Sequence, residues 1–212
     1  MRFLILVDLQ YDFMPGGALA VADGDQVVAV AKRLIPHFDG VVATQDWHPA
    51  DHQSFASQRQ GKIVGDLIEL DGITQVLWPD HCVQGTQGAM LHEELDTDRI
   101  RYVVQKGTDP RFDSYSGFFD NGHRKSTGLP EFLKEHGVID VAVMGLATDY
   151  CVKFTALDAV NLGLKTSLIE DGCRGVNLKT GDVDRAIAEM KDAGVRIIVA
   201  DEVISEHKSG SA

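Results

Sequence analysis

Six short apolar runs limit the architectures open to this chain: Phe3–Val7, Gly40–Thr44, Tyr102–Gln105, Val141–Leu146, Thr166–Ile169 and Arg196–Val199. Most are continuous rather than alternating. A strand that is apolar at every position must be covered on both faces, as strands of parallel sheets are. Helical patterns lie between the runs. Asp25–Phe38 carries Val27, Val28, Ala31, Leu34 and Ile35 at helical spacing. Ser126–His136 opens on an N-cap residue type and stops at Gly137, and Thr148–Leu162 stops at Gly163. Asp182–Ala193 stops at Gly194, with Val183, Ile187 and Met190 on one face. Strands alternating with helices predict a three-layer α/β/α sandwich around a mostly parallel sheet, with right-handed crossovers. The 212 residues suit one domain, expected over residues 1–205. The tail, 206–212, is expected to fray.

Composition narrows the function classes. The net charge is −12, and Lys and Arg form no cluster. That argues against nucleic-acid binding and against an anionic membrane surface. No apolar run approaches the ~18 residues of a membrane span, and Phe3–Val7 is too short and too early for a signal peptide. Cys82, Cys151 and Cys173 are widely spaced and odd in number. They form no disulfide framework, which points to a reducing cytoplasm.

Ligands of open parallel sheets bind beyond the carboxyl ends of the strands. The residues just past those ends are therefore the informative ones. They are Asp8 after the first run, Asp46-Trp-His48 after the second, Lys106 after the third, and Ala147-Thr-Asp-Tyr-Cys151 after the fourth. Parallel strands bring all four to one edge. Cys151 reads either as a small buried apolar group or as a thiol in the first turn of a helix capped by Thr148. In the second reading the positive end of the helix favours thiolate, and local amides can hold an oxyanion. Asp8 ends a very apolar strand and needs a partner or a raised pKa. Lys106 supplies the opposite charge.

Two long polar stretches, 46–82 and 107–122, interrupt the alternation. Loops of that length in a compact domain are often functional. Asp46 and His48 point the same way if the strand continues, and His81 can return to them. Carboxylate with imidazole suits Zn²⁺, Mn²⁺ or Fe²⁺. His52 stands beside them as a fourth ligand or as a group supporting the others. Phe13, Trp78 and Tyr115 lie on loops at the same edge, as a slot for a flat ring or as loop packing. No G-x-G-x-x-G follows the first strand, so no NAD cofactor is expected.

Together, Val7-Asp-Leu-Gln-Tyr-Asp-Phe13, Asp46-Trp-His-Pro-Ala-Asp-His52, Trp78-Pro-Asp-His-Cys-Val-Gln-Gly85, Lys106-Gly107 with Tyr115-Ser-Gly-Phe118, and Gly145-Leu-Ala-Thr-Asp-Tyr-Cys-Val152 resemble the nicotinamidase/pyrazinamidase family. That family belongs to the isochorismatase-like cysteine hydrolase superfamily. The resemblance runs in order from Arg2 to Val203 and implies a six-stranded parallel sheet. It implies that Asp8 is the general base, Lys106 its charge partner and Cys151 the nucleophile, with the amides of Ala147 and Cys151 as oxyanion donors. It implies Asp46, His48 and His81 as metal ligands, foremost for Zn²⁺, and it leaves His52 open because only some members use a histidine there. The peptide Leu146–Ala147 matches a position that is cis in the family. The implied reaction is hydrolysis of nicotinamide, and of pyrazinamide, to the acid and ammonia. Amidases of the superfamily that act on carbamoyl or ureido substrates are the nearest alternative, and as a rule they lack the full ligand set. The resemblance leaves open whether the chain is a monomer or a homo-oligomer.

Overall fold

The computed structural model describes residues 1–210, with side chains through Glu206. Thirteen elements follow in chain order: β1 (Arg2–Val7), α1 (Gln26–Leu34), β2 (Gly40–Asp46), β3 (Leu67–Leu70), β4 (Ile73–Val76), β5 (Ile100–Lys106), α2 (Leu129–Glu135), β6 (Asp140–Leu146), α3 (Lys153–Asn161), β7 (Lys165–Arg174), α4 (Asp182–Asp192), β8 (Arg196–Ile198) and α5 (Ala200–Gly210). All six apolar runs are strands of one sheet, ordered β5-β2-β1-β6-β7-β8. Every pairing in it is parallel.

Burial explains the continuous apolar runs. Successive residues of a strand face opposite sides, and Phe3 through Val7 are all fully buried. Both faces of β1 are therefore covered, each Leu, Ile or Val contributing about 1.5–3 kcal/mol. α1 packs with α5 and β7, and α3 packs with α4 and β7. β5 is an edge strand, and its exposed Arg101, Val103 and Gln105 alternate with more buried residues.

Helix ends differ from expectation where local chemistry intervenes. α1 stops at Leu34 because Pro36 falls in the next turn, and Ile35–His37 tightens to a 3₁₀ turn. α2 begins at Leu129 rather than Ser126. Gly128, at φ +93°, sets the turn, and Ser126 Oγ accepts from its N–H at 3.1 Å. The expected helix from Thr148 begins as a π-type turn, Thr148–Val152, before α3. Thr148 makes no side-chain cap.

The loop 46–82 holds an antiparallel hairpin, β3–β4, that the apolar pattern did not suggest. Its turn is Asp71-Gly72, both at positive φ, the pair that two-residue hairpin turns favour. α5 runs past the boundary expected at residue 205, and Glu206 pairs with Arg2 and Arg196. The last tail residues, 211 and 212, lie outside the described residues.

The sheet order reverses beside β1. From β1 the chain moves outward through β2 and β5, then crosses back to β6. The carboxyl ends of β1 and β6 therefore form a topological switch point, where ligands of such sheets bind.

Candidate active site

Strand register decides which polar groups meet. Asp46 is paired directly with Lys106, and Val7 with Gly145. Asp8 thus emerges beside Leu146 and Ala147. Gly145 makes this approach possible: a Cβ there would lie 2.1 Å from the Val7 carbonyl oxygen, and φ is +132°. Asp8 itself sits at φ +52°, a conformation Asp tolerates better than most residues. The peptide Leu146–Ala147 is cis.

Asp8, Lys106 and Cys151 converge. The Lys106 ammonium lies 2.9 Å from Asp8 Oδ2 and 3.4 Å from Cys151 Sγ. It also pairs with Asp46 and donates to the Ser114 carbonyl oxygen at 2.9 Å. Thr44 Oγ1 donates to Asp8 Oδ1 at 2.5 Å and accepts from the Asp8 N–H at 3.2 Å. All three ionisable side chains are buried.

Burial works against each charge, and the neighbours decide the outcome. Burial pushes the Asp8 carboxyl up, Lys106 opposes it, Asp46 adds to it, and the result is about 6. Burial also disfavours the charged forms of Lys106 and Asp46. Their mutual attraction prevails, leaving Lys106 well above and Asp46 well below their ordinary values. The Cys151 thiol is raised, because burial and its hydrogen bond to Asp8 outweigh the Lys106 charge. Cys151 lies in the π-type turn rather than in the first turn of a regular helix capped by Thr148, and burial dominates the shift of its thiol. The thiol thus lies beside both the Lys106 ammonium and the Asp8 carboxyl.

Asp46, His48 and His81 form a second cluster, each offering one ligand atom within 4.8 Å of the others. His48 Nε2 lies 3.6 Å and His81 Nε2 3.8 Å from Asp46 Oδ2. The other ring nitrogens are engaged: His48 Nδ1 with the Gly107 carbonyl at 2.9 Å, and His81 Nδ1 with that of Pro79 at 2.8 Å. That fixes the tautomer in which Nε2 presents its lone pair inward, as metal-binding histidines do. His48 Nε2 is buried without a hydrogen-bond partner, a costly state that a cation would relieve. Gly107 is required here, since a Cβ would come within 2.3 Å of the His48 ring. Phe55, fully buried, stands edge-on to both rings at 5.6 Å. Burial and the neighbouring His48 push His81 down to about 4. These residues fit a divalent cation.

His52 belongs to a different grouping. It clusters with His48 and Asp113, and its Nδ1 meets Ser54 Oγ at 2.7 Å. Phe13, Trp78 and Tyr115 are brought together. They line one narrow pocket with Leu19, Tyr150 and Val176, and its polar lining includes Asp46, His81 and Cys151, with Ala147 beside the thiol. Among the described residues, no helix is long and apolar enough to cross a membrane.

Several residues of the site were assigned no role from the sequence. Gln10 is fully buried and holds the Asp46 backbone from both sides, accepting from its N–H and donating to its carbonyl, each at 2.8 Å. Asp149 accepts from the N–H groups of Val176 at 2.9 Å and Asn177 at 2.7 Å, tying the pocket wall to the turn that carries Cys151. Trp78 Nε1 donates to the Tyr115 hydroxyl at 3.1 Å, and Gln75 of β4 reaches the same oxygen at 2.9 Å. The hairpin turn Asp71-Gly72 was the one legible clue that β4 would deliver Gln75.

Comparison with known proteins agrees with this geometry. Residues 2–202 match the isochorismatase domain model. The chain belongs to the isochorismatase family. This isochorismatase-family chain is 53% identical over 200 residues to a nicotinamidase of Escherichia coli (strain K12), covering 92% of this chain and 93% of that one. It superposes on an Acinetobacter baumanii nicotinamidase/pyrazinamidase structure with a TM-score of 0.92 and 45% identity, covering 95% and 97% of the two chains. It also matches a Pyrococcus horikoshii pyrazinamidase solved in complex with zinc, with a TM-score of 0.75 and 37% identity, covering 93% and 98%.

Proposed function

We propose that this chain is an amidohydrolase that converts nicotinamide to nicotinate and ammonia, and pyrazinamide to its acid, through a thioester on Cys151. One observation carries the reading: a thiol beside a carboxylate and a buried lysine faces, across one narrow aromatic pocket, a carboxylate–imidazole cluster. The similarity to curated nicotinamidases supports it.

Asp8 takes the thiol proton as Cys151 Sγ attacks the carboxamide carbon. Lys106 holds Asp8 in place and offsets the charge that develops around sulfur. The N–H groups of Ala147 and Cys151 donate to the oxyanion of the tetrahedral intermediate. Asp8 passes the proton to the leaving nitrogen, the C–N bond breaks and ammonia departs, leaving the thioester. Asp8 then takes a proton from water, hydroxide adds to the thioester carbon, the C–S bond breaks, and Asp8 returns its proton to the departing sulfur; the acid released ionises to nicotinate. Two such steps replace one poor attack by water. A divalent cation held by Asp46, His48 and His81, foremost Zn²⁺, would bind the ring nitrogen and orient the substrate, its template role. Phe13, Trp78 and Tyr115 cover the ring. Three free, buried cysteines suit a reducing cytoplasm, where nicotinate would enter NAD salvage. Purified protein incubated with nicotinamide should release nicotinate and ammonia in equal amounts, and failure to release either overturns the reading.

Three outcomes follow from particular groups. Replacing His48 or His81 by Ala should lower bound metal from about one ion per chain and weaken substrate binding. Elemental analysis checks this, and full retention in both variants removes the metal from the cluster. Benzamide, which lacks the ring nitrogen, should bind more weakly and turn over more slowly than nicotinamide, because a lost remote contact also misplaces the reacting carbon. Pyrazinamide keeps that nitrogen and should remain a good substrate, and equal kcat/KM for benzamide and nicotinamide contradicts the ring contact. Finally, Asp8 must be ionised to act as base. With its carboxyl at about 6, kcat/KM should be full above that pH and fall as protonation proceeds below it. A cation on Asp46 would cancel part of that carboxylate's repulsion and move the limb lower. A flat profile from about pH 8 to about pH 4 contradicts the base assignment.

A further inference from the structure

The narrow pocket over Cys151 is walled by Phe13, Leu19, Trp78, Tyr115, Tyr150 and Val176. Beyond it lies an outer cavity of about 500 Å³, lined by Leu67 and Val76 of the hairpin, Phe154 of α3, and Leu178, Lys179 and Arg185. The two spaces share two lining residues, Tyr115 and Tyr150. Tyr115 is pinned: its hydroxyl receives Trp78 and Gln75, and its ring lies stacked on Phe154 at 5.5 Å. Tyr150 is held differently. Its hydroxyl has no hydrogen bond among the described residues, and its ring stands edge-on to Trp78 at 4.9 Å and to Tyr115 at 5.5 Å. Its ring, which also packs on the core, lines both spaces and is the wall between them that one substitution can remove.

The expected pose makes that wall matter. With the ring nitrogen toward Asp46 and His81 and the carboxamide carbon at Cys151, the carbon between them faces the buried Lys106 and Asp8. The opposite edge of the pyridine ring then faces the aromatic wall. A second ring fused to that edge would have to occupy the position of Tyr150 or enter the outer cavity through it.

We infer that Tyr150 is the specificity-determining partition of this pocket: its ring confines the site to single-ring carboxamides, and the outer cavity behind it can take a fused second ring. The inference rests on the amidase reading above.

Quinoline-3-carboxamide tests it, because it keeps the nitrogen and carboxamide of nicotinamide and adds one ring at the edge in question. The wild-type holoenzyme should discriminate against it. Tyr150→Ala should raise its kcat/KM relative to that of nicotinamide by about tenfold or more, whereas Tyr150→Phe, which keeps the ring, should leave the ratio within about twofold. Dissociation constants of quinoline-3-carboxylate and nicotinate, measured by calorimetry, should shift in the same ratio. This second readout needs no turnover, so a failure to hydrolyse nicotinamide overturns the amidase reading separately from the partition. If Tyr150→Ala does not fold, Tyr150→Leu carries the same comparison. An unchanged ratio in the shortened variant, an equal change in Tyr150→Phe, or wild-type acceptance of both carboxamides alike overturns the inference.

Discussion

Cys151→Ala should stop nicotinate formation while leaving the fold and the pocket in place. The loss should be on the order of 10⁴-fold or more, as when other hydrolases lose the nucleophile of a coupled catalytic set. Only one sulfur atom is removed. The turn that carries it is held by backbone bonds, from the N–H groups of Tyr150 and Val152 to the Ala147 carbonyl, both at 3.1 Å. The melting temperature should therefore change little, and nicotinate should still bind, since the aromatic walls and the Asp46–His48–His81 cluster are untouched. Chromatography of the acid product, thermal melting and calorimetry check the three parts. Turnover near the wild-type rate removes Cys151 from the chemistry.

Lys106→Met should damage stability as well as rate. Lys106 is 1% exposed and pairs with both Asp8 and Asp46. Methionine fills a similar volume but leaves two buried carboxylates facing each other without a cation. Removing one partner of a buried ion pair typically costs about 3–5 kcal/mol, which for a chain of this size lowers the melting temperature by on the order of 10 °C. The sign for the base follows from the same charges. Lys106 holds the Asp8 carboxyl down against burial, so its loss raises that carboxyl further and leaves less of the base ionised at neutral pH. Activity should fall at every pH, with its acid limb displaced upward. A variant with wild-type stability and an unmoved limb contradicts the place given to Lys106. Bound metal at Asp46 should soften the stability loss, so melting with and without a chelator separates the two carboxylates.

What the sequence discloses about this molecule follows from periodicity. The six apolar runs were legible because a strand covered on both faces is apolar at every position, and β1 is buried along Phe3–Val7. Once parallel strands were inferred, the groups after their ends, Asp8, Asp46, Lys106 and the turn before Cys151, had to share an edge. The register that pairs Asp46 with Lys106 was not legible, because it is set by packing between distant segments. Gln10 and Thr44 look like ordinary polar residues in sequence. Their roles exist only once β1 and β2 lie side by side and Gln10 meets the Asp46 backbone. The loop 107–122 has no period at all, so the carboxylate of Asp113 beside His48 and His52 was invisible. The conformation and surroundings of Cys151 were not legible for a related reason. Local pattern places a helix from Thr148, but neither the π-type turn nor the burial that raises the thiol is a local property.

The most direct test is to catch the thioester. The wild-type protein, mixed with nicotinamide and quenched with acid during turnover, should carry a mass increase of one nicotinoyl group, located by peptide mapping on Cys151. The adduct should be absent from Cys151→Ala and should disappear from the wild type once substrate is exhausted. A nicotinoyl group mapped to Cys82 or Cys173, or steady nicotinate production by Cys151→Ala with no adduct on the protein, would contradict the account.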